Sequence, residues 1–268
     1  MSDRSGMSDG SAAPSSVISG VSSGIGLATA LRLRRDGDRV LGLSRRRPAG
    51  LDLPLEAPRA EGPWGGSGFA WRQADVRDAS SLERALRGVD RIDRLVLNAG
   101  VCEPRSLDAP DFLDSYRETM DVNVEGALRL LLAARARLRP GGSVVVVSSG
   151  LGKQGRAGYA AYVASKHALL GIVRALALEL LPQGIRVNAV CPGWVDTPMA
   201  RADLQASARE GSGPRDVAAR RRAAEARIPL GRFVRAEEVA ALIAFLGSEA
   251  AAAISGQAYN ISGGELLA

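Results

Sequence analysis

The sequence holds few residues that could bind a metal or form a disulfide. Its 268 residues include two cysteines, Cys102 and Cys191, and one histidine, His167. Since the cysteines stand far apart and neither belongs to a CxxC pair, we expect no metal site. Two isolated thiols, in a chain whose first residues carry no hydrophobic signal core, indicate a protein of the reducing cytoplasm.

Long apolar runs and lysine are also scarce. No run reaches the roughly 18–20 apolar residues of a membrane span, which predicts a soluble protein. The 35 basic residues include only two lysines, Lys153 and Lys166, and the net charge is +6. An excess of basic residues can favour the binding of nucleic acid, of an acidic protein or of a phosphorylated cofactor. Because no helix-turn-helix, zinc-finger or aromatic RNA-binding pattern is present, we do not expect nucleic acid as a partner, and most of the arginine is expected to be surface charge.

Short β-branched apolar segments alternate with longer helical patterns along the chain. This alternation is typical of a parallel sheet covered by helices on both faces. The predicted strands span residues 16–19, 39–44, 69–73, 91–98, 143–149, 185–191 and 257–261. We therefore predict a single-domain, doubly wound α/β fold of the Rossmann type, with about seven strands, over residues 15–268. Residues 1–14 are expected to be a disordered leader.

Two stretches interrupt the alternation. Residues 46–68 carry four prolines and five glycines, so we expect an irregular connection there rather than a helix. Residues 196–232 include an arginine-rich segment with a helical pattern. A long insertion near the strand ends of an open sheet is suited to a substrate lid.

A glycine-rich turn, SGVSSGIG, follows the first predicted strand and opens the first helix. Its glycines, Gly20, Gly24 and Gly26, permit a tight turn and a close approach of the backbone to a pyrophosphate. The helix N-terminus offers N–H groups to an anion, and Ser22 and Ser23 can add hydroxyl donors. Glycines also end strands for steric reasons, but this strand–turn–helix context predicts nucleotide binding.

The end of the second strand indicates which dinucleotide is bound. A site that prefers NAD places an acidic residue there, whereas this chain has Ser44 followed by Arg45. An arginine suits a 2′-phosphate. NADP(H) is therefore the favoured cofactor, with NAD(H) as the alternative if the arginine run is merely solvated.

Tyr162 and Lys166 stand one turn apart on a long apolar helical pattern. A phenol with an ordinary pKa of about 10 is a poor acid or base near neutrality, and a neighbouring ammonium stabilises the phenolate. We therefore expect Lys166 to lower the pKa of Tyr162. The fifth predicted strand ends in Ser148-Ser149, and a serine hydroxyl there could hold a substrate oxygen beside the phenol, although a strand-end serine is often only a turn residue. Asn123 is a candidate buried amide that could hold a water or kink its helix.

Together these motifs resemble the short-chain dehydrogenase/reductase family over about residues 15–268. Asp75-Val76 matches the adenine-contacting pair after the third strand, and Asn98-Ala99-Gly100 matches the NAG motif beside the cofactor. The family's active serine precedes its tyrosine by about thirteen positions, which selects Ser149 over Ser148. The catalytic tetrad implied by the resemblance is Asn123, Ser149, Tyr162 and Lys166.

The resemblance also implies a reaction and a set of contacts. Hydride passes from a nicotinamide to a carbonyl carbon while Tyr162 gives a proton to the oxygen, which Ser149 orients. Lys166 would bind the nicotinamide ribose, and Asn123 would position a water. The implied cofactor contacts are Gly20, Ser22, Ser23, Gly24, Ile25, Gly26, Ser44, Arg45, Asp75, Val76, Asn98, Ala99, Gly100, Tyr162, Lys166, Pro192, Gly193, Val195 and Thr197. Of these, Pro192, Gly193 and Thr197 match the segment that borders the nicotinamide in the family. The implied substrate contacts are Ser149, Leu151, Tyr162, Trp194 and Met199.

Within the family, the segments GLGKQGRAGYAAYVASKH and VNAVCPGWVDTPMA look most like bacterial polyketide and acyl-carrier ketoreductases. This similarity favours an NADPH-dependent reductase of a β-keto acyl or polyketide-like ketone, with an acidic carrier protein as a candidate partner. An NAD(P)-dependent dehydrogenase of a small secondary alcohol and a non-catalytic nucleotide-binding regulator are the alternatives. The helix from about Tyr159 to Leu181 is apolar on more than one face, so we expect a homo-oligomer. The family resemblance implies a homodimer or a homotetramer, of which we favour the tetramer.

Overall fold

The computed structural model describes residues 13–48, 63–64, 68–210 and 216–267. Its strands are β1 (Ser15–Ser19), β2 (Arg39–Ser44), β3 (Phe69–Gln73), β4 (Ile92–Leu97), β5 (Leu138–Val147), β6 (Arg186–Pro192) and β7 (Ala258–Ile261). The helices are α1 (Gly24–Arg35), α2 (Ala79–Ala85), α3 (Phe112–Met120), α4 (Gly126–Ala134), α5 (Ala160–Leu180), α6 (Pro198–Glu210), α7 (Val217–Glu225) and α8 (Ala236–Gly247).

All seven strands lie in one parallel sheet, in the order β3-β2-β1-β4-β5-β6-β7. The winding reverses between β1 and β4, and the crevice outside the carboxyl ends of strands at such a reversal is where open α/β sheets bind ligands. The predicted fold class is confirmed.

The strands alternate their side chains between two cores. Val17 of β1 packs in a core with α2, α4 and α5, whereas the next residue, Ile18, packs on the other face with α1 and α8. Since both faces of the sheet are covered, most strand positions are apolar, and the polar residues within strands, such as Ser16 of β1 and Asn188 of β6, are buried.

The fifth strand differs from its prediction. It begins at Leu138 and ends at Val147, whereas 143–149 was predicted. A register shift between the pairs Ile92–Leu138 and Arg94–Ser143 accommodates the additional residues. Ser149 therefore lies beyond the strand, where its Oγ accepts a hydrogen bond of 3.1 Å from Leu151 N and caps a short 3₁₀ turn.

Helix α5 is the longest helix of the described residues. The stretch Ala160–Gln183 is long and apolar enough to cross a membrane by length and composition alone. Its buried side chains, including Leu169 and Val173, pack into the core beside the sheet and against α3. This packing is that of a core helix.

A π-helical turn, Asp121–Glu125, joins α3 to α4 and places Asn123 at its centre. Turns of this kind are frequent at functional sites. Most of the predicted irregular connection at 46–68, almost all of the predicted leader, and residues 211–215 of the predicted lid lie outside the described residues. The described part of the lid contains α6 and α7.

Candidate active site

The glycine turn is fastened to the NAG segment at the carboxyl ends of β1 and β4. Asn98 Nδ2 donates to the carbonyl oxygens of Ser19 and Gly20 at 3.0 and 3.2 Å. In return, Ser19 Oγ accepts from the backbone N–H groups of Asn98 and Ala99 at 3.0 and 3.1 Å. These bonds fix the loop geometry on both sides of the crevice.

The glycines of the turn are required by this close packing. A Cβ on Gly26 would lie 2.5 Å from Asn98 Nδ2 and would overlap the carbonyl oxygen of Gly20. Gly20 itself has a φ of +76°, which favours glycine. Ser23 stands at the N-cap of α1 without a side-chain capping bond, so its hydroxyl is free to meet an anion. The turn therefore fits the pyrophosphate of a dinucleotide.

At the end of β2, Ser44 supports the turn that presents Arg45. Its buried hydroxyl donates to the Arg46 carbonyl at 2.7 Å and accepts from Trp71 Nε1 at 2.9 Å. The Arg45 carbonyl accepts from Gln73 Nε2 at 3.2 Å, while its side chain is exposed. The hydroxyl of Ser44 has thus already used its donor, and the arginine is the group available to a phosphate.

Asp75 and Val76 face different surroundings. The Asp75 carboxylate accepts from Arg77, at 2.7 Å from Nη2 and 3.0 Å from the backbone N–H, and these bonds hold the pKa of Asp75 below its usual range. The Val76 side chain is buried against Gly126, where an added Cβ would lie 2.6 Å from Val76 Cγ2. Any cofactor contact at Val76 would therefore come from its backbone.

The predicted catalytic and nicotinamide-side residues converge on one cavity of about 470 Å³. The predicted residues that line it are Ile25, Asn98, Gly100, Ser149, Leu151, Tyr162, Lys166, Pro192, Gly193, Trp194, Val195, Thr197 and Met199. One predicted catalytic residue, Asn123, does not line this cavity, and neither do the predicted cofactor contacts Gly20, Ser22, Ser23, Gly24, Gly26, Ser44, Arg45, Asp75, Val76 and Ala99.

Lys166 is held at the floor of the cavity. It is buried, its Nζ donates to the Val147 carbonyl at 3.0 Å, and Nζ lies 5.5 Å from the centroid of the Tyr162 ring. Burial lowers the pKa of Lys166 to about 8, because a low-dielectric surrounding disfavours the ammonium.

The pKa of Tyr162 differs from the expectation drawn from the sequence. Burial raises the pKa of its phenol, and a hydrogen bond from the Ser149 hydroxyl opposes that rise only in part. The expected lowering by Lys166 is therefore wrong for the protein on its own. The phenol is held protonated near neutral pH, which is the state a proton donor needs.

Asn123 connects the π turn to both sides of the site. Its Oδ1 accepts from Val101 N at 2.8 Å, and its Nδ2 donates to the Val101 carbonyl and to Ser165 Oγ at 2.9 and 3.0 Å. A Cβ on Gly100 would lie 3.1 Å from Asn123 Oδ1 and 3.5 Å from Lys166 Nζ. The amide thus clamps the NAG segment against α5 beside the lysine.

Sequence reasoning missed a polar wall of the cavity, which is formed by Arg156, Tyr159 and Asp203. The Tyr159 hydroxyl donates to the buried Asp203 carboxylate, which also pairs with Arg156 at 3.3 Å. The Arg156 guanidinium lies 4.1 Å from the Tyr159 ring centroid and 5.1 Å from that of Trp194. Arg156 and Tyr159 share the turn before α5, whereas Asp203 lies on α6, so no motif spacing signals this wall.

The nicotinamide-side segment packs directly on the glycine turn. Thr197 is buried, and its Oγ1 accepts from Ala200 N at 3.3 Å at the start of α6. A Cβ on Gly24 would lie 3.2 Å from Thr197 Cγ2. Helix α6 therefore begins where the crevice and the cavity meet.

Comparison with known proteins agrees with this geometry. Residues 20–265 match a family model described as enoyl-(acyl carrier protein) reductase. A Streptomyces virginiae protein, named as a ketoacyl reductase of the monensin polyketide synthase, is 38% identical over 92% of this chain and 95% of its own length. The chain belongs to the short-chain dehydrogenase/reductase family. As a member of this family it is an NAD(P)-dependent oxidoreductase.

Two further relatives represent different activities within the family. The cis-4-hydroxycyclohexanecarboxylate dehydrogenase of Sinomonas cyclohexanicum is 35% identical over 92% of this chain and 94% of its own length. The crystal structure of a variant actinorhodin polyketide ketoreductase with NADPH has a TM-score of 0.79 and 32% identity. That structure covers 94% of this chain and 97% of its own. The fold and the reaction class are shared, whereas the substrates differ.

Proposed function

We propose that the protein is an NADPH-dependent ketoreductase that reduces a ketone of a β-keto acyl or polyketide-like substrate. One observation carries the proposal: Ser149, Tyr162 and Lys166 line a single cavity beside a glycine turn shaped for a dinucleotide. Similarity to a monensin polyketide synthase relative and to the actinorhodin ketoreductase supports the substrate class and the cofactor.

Each catalytic side chain has a separate role in the reduction. NADPH, when bound, supplies a hydride to the carbonyl carbon and is oxidised to NADP⁺. The Ser149 hydroxyl orients the substrate oxygen by a hydrogen bond, and the protonated Tyr162 phenol gives that oxygen its proton, which yields a secondary alcohol. Lys166 places a cation beside the phenol as it loses the proton. Asn123 acts as a positioning residue, because it clamps the NAG segment against α5.

The crevice side holds the cofactor. The N-terminus of α1, with Gly20, Gly24 and Gly26, receives the pyrophosphate, and Ser22 and Ser23 add donors. Arg45 is exposed at the end of β2 and would be the residue that holds an adenosine 2′-phosphate, which favours NADP(H) over NAD(H).

A panel of ketones with NADPH tests the proposal directly. We expect the loss of NADPH absorbance to depend on the ketone, and the Tyr162→Phe variant to lose about 10²–10⁴-fold in kcat while it still binds NADPH. Tyr116→Phe is the matched control, because Tyr116 lies on α3 and does not line the cavity. If Tyr162→Phe reduces ketones at the wild-type rate, the assigned proton donor is wrong.

A second candidate is an alcohol dehydrogenase working in the oxidising direction, favoured by the 35% identity to cis-4-hydroxycyclohexanecarboxylate dehydrogenase. Rates measured in both directions near neutral pH separate the two activities. A nucleotide-binding regulator without catalysis is disfavoured by the intact set of Asn123, Ser149, Tyr162 and Lys166. Tight NADPH binding without turnover of any ketone or alcohol would reverse that judgement.

We further propose a soluble cytoplasmic homo-oligomer, with a tetramer favoured. Leu178 on α5 is 80% exposed and Leu132 on α4 is 73% exposed, although both belong to long apolar patterns. Burial of such side chains between subunits would remove apolar surface from water. An acidic carrier protein is the proposed macromolecular partner, since the net charge of +6 favours encounter with acidic surfaces.

A further inference from the structure

A carboxylate and a guanidinium face the catalytic cavity and feel each other's charge, but neither forms a direct bond to a described residue. Glu265 and Arg227 both line it, and neither side chain makes a hydrogen bond or an ion pair with any other described residue. The remaining charged groups of the cavity are engaged, because Arg156 pairs with Asp203 and Lys166 donates to Val147. The two free charges are therefore the ones available to a substrate.

The chain holds Glu265 in place through a tight turn after β7. Ser262 Oγ accepts from Leu266 N at 3.0 Å, and the Ser262 carbonyl accepts from Glu265 N at 3.3 Å. The turn contains Gly263, with a φ of +65°, and the Gly263 carbonyl accepts from Leu230 N at 3.0 Å. This bond ties the turn to the segment that follows α7, in which Arg227 lies.

Glu265 is close to the reacting end of the cavity. A Cβ on Gly193 would lie 3.0 Å from Glu265 Oε2, so the carboxylate rests against the segment expected to border the nicotinamide. The side chain is half-buried, whereas Arg227 is exposed at the rim. Burial raises the pKa of Glu265, and the positive charges of Arg227 and Arg156 oppose that rise. A carboxyl group at this position would gain from a hydrogen-bond donor.

We propose that Glu265 and Arg227 form a polar subsite that selects ketones carrying a second oxygen substituent. Glu265 accepts a hydrogen bond from a substrate hydroxyl, and Arg227 donates to a second carbonyl oxygen. The inference rests on the proposed ketoreductase function and names its substrate class more closely. An apolar substituent would leave the half-buried carboxylate unpaired, so substrates of equal size but different polarity should react at different rates.

Three ring ketones that differ at one position test this subsite. They are 4-hydroxycyclohexanone, cyclohexane-1,4-dione and 4-methylcyclohexanone, which offer a hydroxyl, a second carbonyl and an apolar group of similar size. For the wild type, we expect kcat/KM with 4-hydroxycyclohexanone and with cyclohexane-1,4-dione to be roughly tenfold higher than with 4-methylcyclohexanone. One hydrogen bond to a charged group provides a ratio of this size.

Variants of Glu265 and Arg227 test the contribution of each charge separately. Glu265→Leu should abolish the preference for hydroxyl over methyl, and Glu265→Gln, which keeps an acceptor, should restore part of it. Arg227→Met should abolish the preference for the dione, and Arg227→Lys should restore part of it. Glu249→Leu and Arg87→Met are the controls, since both residues are exposed outside the cavity, and they should keep both ratios.

The outcomes distinguish this inference from the function on which it rests. If wild type reduces all three ketones at similar rates, or if Glu265→Leu lowers the three rates equally, the subsite is wrong while the reductase activity stands. If the wild type turns over none of these three ketones but reduces other ketones of the panel, the subsite is wrong; turnover of no ketone at all, with NADPH still bound, would overturn the proposed function and the subsite together. Thermal unfolding of each variant identifies any loss that is due to misfolding.

Discussion

Lys166 Nζ donates a hydrogen bond of 3.0 Å to the carbonyl oxygen of Val147, the last residue of β5. The bond ties the buried amine to the sheet while its distance to the Tyr162 ring centroid is 5.5 Å. Because burial lowers the pKa of Lys166 to about 8, the charge of this group changes close to physiological pH. The lysine, rather than the tyrosine, is thus the titrating member of the pair.

The first prediction concerns the alkaline side of the pH profile. The protonated amine is the form that stabilises a phenolate, so kcat/KM should be highest below pH 8 and fall as pH rises through about 8. Burial raises the pKa of Tyr162 above its ordinary 10 and raises the pKa of the Cys102 thiol to about 12, so neither group produces this limb.

A variant assigns the alkaline limb to Lys166. Lys166→Arg stays charged throughout the range, so its activity, although reduced by the larger side chain, should not fall between pH 7 and 10. Initial rates at constant ionic strength measure both profiles. An unchanged limb in Lys166→Arg, or a wild-type profile that is flat to pH 10, would contradict the assignment.

The second prediction concerns the choice of dinucleotide. Gln73 holds the backbone of Arg45 at the end of β2, and the exposed guanidinium is free to meet a phosphate. Arg45→Ala should weaken NADPH binding by about 10–100-fold, the worth of a hydrogen bond to a charged group, and leave NADH binding unchanged. Fluorescence titration of both cofactors measures this selectivity.

Neighbouring arginines provide the comparison for Arg45. Arg46→Ala and Arg47→Ala remove one charge each from the same exposed run. If either of them lowers NADPH affinity as strongly as Arg45→Ala, the run acts as diffuse charge and not through one phosphate contact. Equal affinity of the wild type for NADPH and NADH would remove the 2′-phosphate role altogether.

Local patterns were sufficient for much of the fold. The bounds of β2 and β3 agree with their predictions, because β-branched apolar runs and the turns that limit them depend on neighbouring residues in the sequence. The start of β5 was missed because Pro140, Gly141 and Gly142 are typical of a turn, whereas the chain continues the strand through a register shift.

The site was predicted less evenly than the fold. Family motifs brought Ser149, Tyr162 and Lys166 to one cavity, but sequence spacing carries no information on burial, and burial is what raises the pKa of Tyr162. Asp203 and Glu265 reach the cavity from α6 and from the last turn of the chain. Contacts of this kind exist only after folding, so no motif could have named them.

The third prediction concerns the packing of the glycine turn. Gly26→Ala would place a methyl group 2.5 Å from Asn98 Nδ2 and against the Gly20 carbonyl, which must distort the cofactor cradle. We expect NADPH affinity to fall at least tenfold and the free energy of unfolding to fall by about 1–3 kcal/mol, as in an overpacked core. Isothermal calorimetry and urea unfolding measure these two effects.

Gly171→Ala is the control for this steric argument. Gly171 lies on α5, and an added Cβ meets no atom within 4 Å. This variant should keep NADPH affinity and gain up to about 1 kcal/mol in the free energy of unfolding, since alanine favours a helix. Wild-type NADPH binding in Gly26→Ala would show that the turn does not form the cradle.

The last prediction concerns the association of subunits. Leu178 is 80% exposed near the carboxyl end of α5, and Leu181, just beyond the helix, is 47% exposed. If this surface lies between subunits, Leu178→Arg places a charge in an apolar interface and should shift the protein toward a smaller species. Light scattering after size-exclusion chromatography measures the mass. Leu107→Arg is the control, since Leu107 is 78% exposed and lies outside the helices. A wild-type protein that elutes as a monomer, or a Leu178→Arg variant with unchanged mass, would place the subunit contact elsewhere or remove it.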